Sequence, residues 1–171
     1  MEYTNEYISP LGKILLASDG HALTGLWFEG QKYFAAKLER DHEEKDLPVF
    51  AQVAEWLVLY FNGKNPAFTP PLTLKGTPFQ KEVWEAMLAI PFGQTTTYAK
   101  IAAQIAKHRG LASMSAQAVG SAVAHNPISL IIPCHRVVGS DGSLTGYAGG
   151  IEKKEWLLAM ERQAAGIVVY Y

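Results

Sequence analysis

The sequence predicts an α+β protein in two parts: a small antiparallel β-sheet with helices, then a mainly helical second domain. Three observations lead there. The first third holds three short apolar or alternating runs set apart by turn residues, and the remainder carries capped segments of helical period. Between them, "KNPAFTPPLTLKG" at 64–76 is rich in Pro and Gly and poor in periodic apolar positions, so it reads as a linker. The domains are therefore read as 1–75 and 76–171.

The strands are "EYTNEYIS", "GKILLAS" and "HALTGLWF", separated by Pro10-Leu11-Gly12 and Asp19-Gly20, which predicts a meander of hairpins. A helix is expected over 31–40, and another from Val49 to Phe61, stopped by Asn62-Gly63. The second part opens with Thr77-Pro78-Phe79-Gln80, where Thr suits the N-cap, Pro the first helical position and Gln a capping box. Phe79, Val83, Trp84, Met87 and Leu88 follow as one apolar face, and "IPFGQTTT" ends that helix. A second helix begins near Tyr98, with Ile101, Ala102 and Ile105 inward. After "KHRGLAS" a third runs from Ser115 to His125, stopped by Asn126-Pro127. The pair suggests a helix-turn-helix with a turn longer than usual. "GIEKKEWLLAMER" reads as a C-terminal helix, and "RQAAGIVVYY" carries no readable pattern.

Composition excludes several classes. The most apolar stretch, "VFAQVAEWLVLYF", falls short of the roughly 20 residues of a membrane span. The acidic start lacks the basic flank and apolar centre of a secretory signal, so a cytoplasmic protein is expected. One cysteine cannot form an internal disulfide, and no structural metal is expected from five scattered histidines. Net charge is only −1, but residues 1–85 carry 8 Lys/Arg against 12 Asp/Glu and residues 86–171 carry 7 against 4. No acidic residue lies between Glu85 and Asp141, where Lys100, Lys107, Arg109 and Arg136 fall, a modest footprint for a polyanion.

The third helix is unusual in its composition. Val119, Ala122 and Val123 supply an inward stripe, whereas Ala116, Gly120 and Ala124 line another face with almost no side chain. Gly120 costs about 1 kcal/mol of helix propensity relative to Ala, which invites close approach of another surface, either a neighbouring helix or a nucleic-acid groove.

The single cysteine, Cys134, stands between Pro133 and His135 in "IIPCHRVVGSDGSLTGYAGG". A buried cysteine can be a small hydrophobe only. A thiol becomes a strong nucleophile when a base or cation lowers its pKa, and His135 or Arg136 could do so if the chain turns after Pro133. In a regular strand Cys134 and His135 would point to opposite faces, so the backbone must bend or a water must join them. Glu161 is a candidate to orient the histidine. This pattern fits hydrolases, transferases and redox enzymes alike.

"PCHRVV", with "GSDGSLTGYAGG" and "KEWLLAME" after it and "AVGSAVAHNPI" before it, closely resembles the active-site region of the O6-alkylguanine-DNA alkyltransferases. These repair proteins, the methylated-DNA–protein-cysteine methyltransferases, each act once. The likeness runs from about Thr77 to Glu161; the N-terminal part matches mainly in layout. It implies a ribonuclease H-like first domain and a winged helix-turn-helix in the second. It further implies irreversible transfer of an alkyl group from O6-alkylguanine in DNA to Cys134, with O4-alkylthymine as a further candidate substrate. His135 would deprotonate Cys134 through a water, Glu161 would hold His135, and Tyr98 would donate to the guanine ring. Asn126 would fix the cysteine loop, and Val123, Val137, Tyr147, Ala148 and Gly149 would line the base pocket. Thr97, Tyr98, Ser115, Ala116, Gln117, Gly120 and Arg136 would meet double-stranded DNA from its minor groove with the damaged base flipped out. The implied protein is a monomer with no cofactor and no membrane partner.

Two positions depart from the family's pattern. Gln117 stands where relatives carry an arginine that fills the space of the extruded base, and the N-terminal cysteines that hold zinc in some relatives are absent. Rival readings are a damage-binding protein that leaves Cys134 unmodified, a Cys-His-Glu hydrolase that turns over repeatedly, and a DNA-binding regulator. The small face of the third helix offers the last of these few side chains for reading base edges.

Overall fold

Alternating burial along "EYTNEYIS" and a continuous apolar run in "LTGLWF" make β1 (Glu2–Ser9), β2 (Gly12–Ser18) and β3 (Leu23–Phe28) an antiparallel meander, with Tyr7 opposite Ile14 and Leu16 opposite Leu26. The computed structural model describes residues 1–144 and 146–166. They fall into two units, Met1–Lys75 with Pro127–Ile131, and Gly76–Asn126 with the chain from Ile132 onward.

The first unit differs from the sequence expectation in three places. No helix forms over 31–40; successive turns closed by i→i+3 bonds replace it, with Tyr33 and Ala35 at positive φ. The chain then adds a short edge strand, β4 (His42–Glu44), parallel to β1, so the sheet order is β3-β2-β1-β4 and the sheet is not wholly antiparallel. All three β4 residues are exposed, so no alternation marked it. The stretch read as a linker also pairs along β3, where Leu23 N donates to Pro71 O at 2.8 Å and Thr73 N to Leu23 O at 3.0 Å. Pro127–Ile131 belongs to this unit through Leu26, which donates to Pro127 O and accepts from Ser129 N. α1 (Pro48–Phe61) buries Val49, Phe50, Val53, Trp56, Leu57 and Tyr60 at helical spacing.

In the second unit α2 (Pro78–Leu88) begins with the expected capping box between Thr77 and Gln80. Its Val83, Trp84 and Met87 are buried, and Trp84 Nε1 donates to Ala122 O at 2.8 Å. Leu88, the last residue of the helix, is exposed instead, although Met87 beside it is buried. β5 (Thr96–Thr97) leads into α3 (Tyr98–Arg109), where the Thr97 side chain accepts from Lys100 N and Gly110 closes the helix at φ +69°. α4 (Ala116–Ala124) is capped by Ser115 and buries Val119, Ala122 and Val123. β6 (Val137–Val138) pairs parallel with β5, and α5 (Ile151–Ala164) follows. Thr145 and 167–171, the end of the tail without a sequence pattern, lie outside the described residues.

Candidate active site

The backbone bends at Cys134. Cys134–Arg136 forms a 3-10 turn in which Cys134 N donates to Ile132 O at 2.8 Å and Arg136 N to Pro133 O at 3.0 Å. This removes the strand geometry that would have opposed Cys134 and His135. Asn126 Nδ2 donates to Ile132 O at 2.8 Å, fixing the entry to the turn. On the exit side, the pairing of β6 with β5 sets Val137 and Val138 beside Thr96 and Thr97, the residues that lead into Tyr98.

α5 supplies the partners, because Lys154, Leu157, Leu158 and Glu161 form its buried stripe at i, i+3, i+4 and i+7. Glu161 is fully buried and is the hub: it accepts from His135 Nε2 at 2.5 Å, from Arg136 Nε at 2.8 Å and Nη2 at 3.2 Å, and from Gly93 N at 3.0 Å. Burial alone would raise its pKa, but the hydrogen bonds and charges of His135 and Arg136 outweigh burial and hold the carboxyl at about 2. Burial pushes His135 below its ordinary value despite Glu161, and the positive charges of Arg136 and Lys154 push the same way. The resting pair is thus a carboxylate and a neutral imidazole. Because an ionised carboxylate only accepts, the imidazole carries its proton on Nε2 and its lone pair on Nδ1.

Lys154 is fully buried with Nζ donating to Val137 O at 2.6 Å and lying 6.0 Å from the centre of the Tyr98 ring. Burial lowers its pKa to about 8 against the opposing influence of Cys134. Tyr98 is pushed upward by burial first and by Cys134 second, so its hydroxyl stays protonated at neutral pH. Tyr147 packs edge-on to the His135 ring and is pushed well above its ordinary value by burial and by Cys134 and Glu161. A Cβ at Gly149 would sit 2.6 Å from that Tyr147 ring, which accounts for glycine there. Cys134 itself is buried.

Of the residues expected at the site, Cys134, His135, Glu161, Val137 and Tyr147 are buried, with Ala148 and Gly149 half-buried beside them in sequence. Val123 is buried on the inward stripe of α4, while Ser115, Ala116 and Gln117 are exposed at its start. Thr97, Tyr98 and Gly120 are half-buried, and a Cβ at Gly120 would meet only the Tyr98 ring, at 3.8 Å. Arg136 is a correction. Expected at the DNA face, it is buried, with Nη1 on Ile90 O at 2.7 Å and its other nitrogens on Glu161.

Two family models divide the chain: the ribonuclease-like domain of 6-O-methylguanine DNA methyltransferase matches residues 3–74, and its DNA-binding domain matches residues 78–163. The chain belongs to the methylated-DNA–protein-cysteine methyltransferase family. A member from Haemophilus influenzae is 41% identical over 94% of this chain and 86% of its own length. One from Methanosarcina barkeri is 46% identical over 90% and 92%. Among solved structures, Mycobacterium tuberculosis OGT in complex with DNA superposes with a TM-score of 0.79 at 41% identity, covering 95% of this chain and 93% of that one. The α+β fold and its helical second half are thus those of the family. Two buried site residues were not read from the sequence in their present roles, Arg136 as a Glu161 partner and Lys154. The helical spacing of Lys154 with Leu157, Leu158 and Glu161 was the available signal for the second.

Proposed function

We propose that this protein repairs alkylated DNA by moving the methyl group of O6-methylguanine onto Cys134, once per molecule. The observation that carries the reading is a single buried thiol on a 3-10 turn, next in sequence to a neutral histidine whose Nε2 is held by an ionised glutamate. In the step itself, the thiol proton passes to His135 Nδ1, directly or through a water, while Glu161 stabilises the imidazolium that forms. The sulfur lone pair then takes the methyl carbon. The carbon–O6 bond breaks with its electrons going to the guanine, which takes up one proton and becomes neutral while the imidazolium gives up the proton it received from the thiol. Tyr98, protonated at neutral pH, donates to the leaving base as charge develops on it. The thioether product is stable, so the protein is consumed stoichiometrically.

Double-stranded DNA is the partner in this reading, engaged by Thr97, Tyr98, Ser115, Ala116, Gln117 and Gly120 with the damaged base flipped toward Val137, Tyr147, Ala148 and Gly149. The exposed small residues at the start of α4 support it, since they let a backbone approach closely. No helix among the described residues is long and apolar enough to cross a membrane. Intact mass and peptide mapping after incubation with an oligonucleotide containing O6-methylguanine test the proposal, with Cys134→Ser as control. One methyl gained on the Cys134 peptide, and none on the variant, is expected. Damage-specific binding with unmodified Cys134 would replace repair with flagging.

A further inference from the structure

Arg136 is a guanidinium almost withdrawn from water, yet it contacts neither the thiol nor the exposed face of α4 in any hydrogen bond described above. Its donors go to Glu161 Oε1 at 2.8 Å, Glu161 Oε2 at 3.2 Å and Ile90 O at 2.7 Å, and its Cζ lies 5.7 Å from the centre of the Phe92 ring. Glu161 therefore takes both carboxylate oxygens to one planar fork, while His135 Nε2 shares Oε2 and Gly93 N shares Oε1. A buried carboxylate facing only an imidazole would draw a proton onto that imidazole. With a guanidinium on its other side it need not.

We propose that Arg136 is a positioning residue of the acceptor site, whose guanidinium neutralises and orients Glu161 as the partner of His135 next to Cys134. The inference rests on the repair reading for its purpose and on the geometry for its content. The charged and titratable groups around the pair are Cys134 and Arg136 on the 3-10 turn, Lys154 on α5, Tyr98 on α3 and Tyr147 in the loop before α5. Arg136 and Lys154 are the cations among them. Arg136 touches Glu161 directly, in two hydrogen bonds and an ion pair, so its removal takes a cationic partner from that carboxylate.

The test uses iodoacetamide on the folded protein without DNA. The sulfur displaces iodide from the probe carbon and the thiol proton leaves to solvent. The chain has one cysteine, so the label is unambiguous. In wild type, Arg136→Lys and Arg136→Gln, the rate is followed against pH. Losing the charge in Arg136→Gln is expected to raise the pH at which the rate falls off in acid by about one to two units. Arg136→Lys keeps the charge but not the fork. It is expected to leave that pH within a few tenths of a unit and to lower the plateau rate roughly three- to tenfold. An unmoved acid limb in folded Arg136→Gln, or a wild-type plateau in Arg136→Lys, overturns the proposal. If Arg136→Gln does not fold, the 15N shifts of His135 decide: a neutral ring protonated on Nε2 at pH 7 in wild type and Arg136→Lys supports it, and an imidazolium in wild type overturns it. Failure of methyl transfer from DNA in wild type would sink the repair reading while leaving this pH profile interpretable.

Discussion

Replacing Glu161 with glutamine separates the charge of the hub from its shape. At pH 7 the variant leaves Arg136 and its guanidinium buried against a neutral amide, a loss of the kind that costs about 3–5 kcal/mol. Its pH dependence is the sharper quantity. Glu161 is held at about 2 against an ordinary 4.5, so it contributes stability that is present above the unfolded value and lost as pH falls through the folded one. At pH 7 that contribution is about 3 kcal/mol, and about 2 kcal/mol of it is gone by pH 3. His135, itself held low by burial, erodes stability with acid in both proteins, so comparison with the variant removes most of its effect. Urea unfolding of wild type and Glu161→Gln at pH 7, 5 and 3 measures the difference. It should narrow by about 2 kcal/mol across that range. A gap of equal size at pH 7 and pH 3 would show that Glu161 is not ionised and charge-paired in the folded protein, and the proton inventory of the site would have to be rewritten.

Three further outcomes follow from the second unit. Gln117→Arg should tighten binding to duplex DNA carrying O6-methylguanine by roughly five- to tenfold and speed transfer, because a charged guanidinium fills the vacated base position better than an amide; unchanged affinity and rate would remove Gln117 from the base-flipping step. Binding to that duplex should weaken steadily as salt is raised, because in the proposed DNA reading Lys100 and Lys107 attract phosphate without regard to sequence while Arg109 is paired with Glu82, and a flat response in a filter or anisotropy titration would count against the DNA face. Gly120→Ala should raise thermal stability by about 0.5–1 kcal/mol, because a Cβ there meets only the Tyr98 ring at an ordinary 3.8 Å. A loss of stability would mean that α4 is packed more tightly at Gly120 than the ring contact indicates.

How much of this was legible beforehand depended on whether the cause was local. The first cap was: Thr77 and Gln80 act on each other across three residues, and the helix they open begins there; the caps at Thr97, Ser115 and Gly110 appear only in the structure. The meander was legible too, because alternation and turn residues lie within each hairpin. Over 31–40 helical composition alone did not suffice. Tyr33 and Ala35 at positive φ interrupt any helix, and the fully exposed β4 had no apolar pattern to announce it.

The sequence by itself determined the chemistry that Cys134, His135 and Glu161 could perform, since residue type sets nucleophile, base and acid, and motif set the family. Tertiary structure decided their states. Whether Glu161 is ionised, whether His135 is neutral and on which nitrogen it carries its proton depend on Arg136 and Gly93 arriving at one carboxylate from distant parts of the chain. It also took Arg136 from an expected DNA contact to a buried partner of Glu161. Electrostatic energy in a desolvated site is set by distances between groups that sequence separation does not reveal, and burial multiplies each of them.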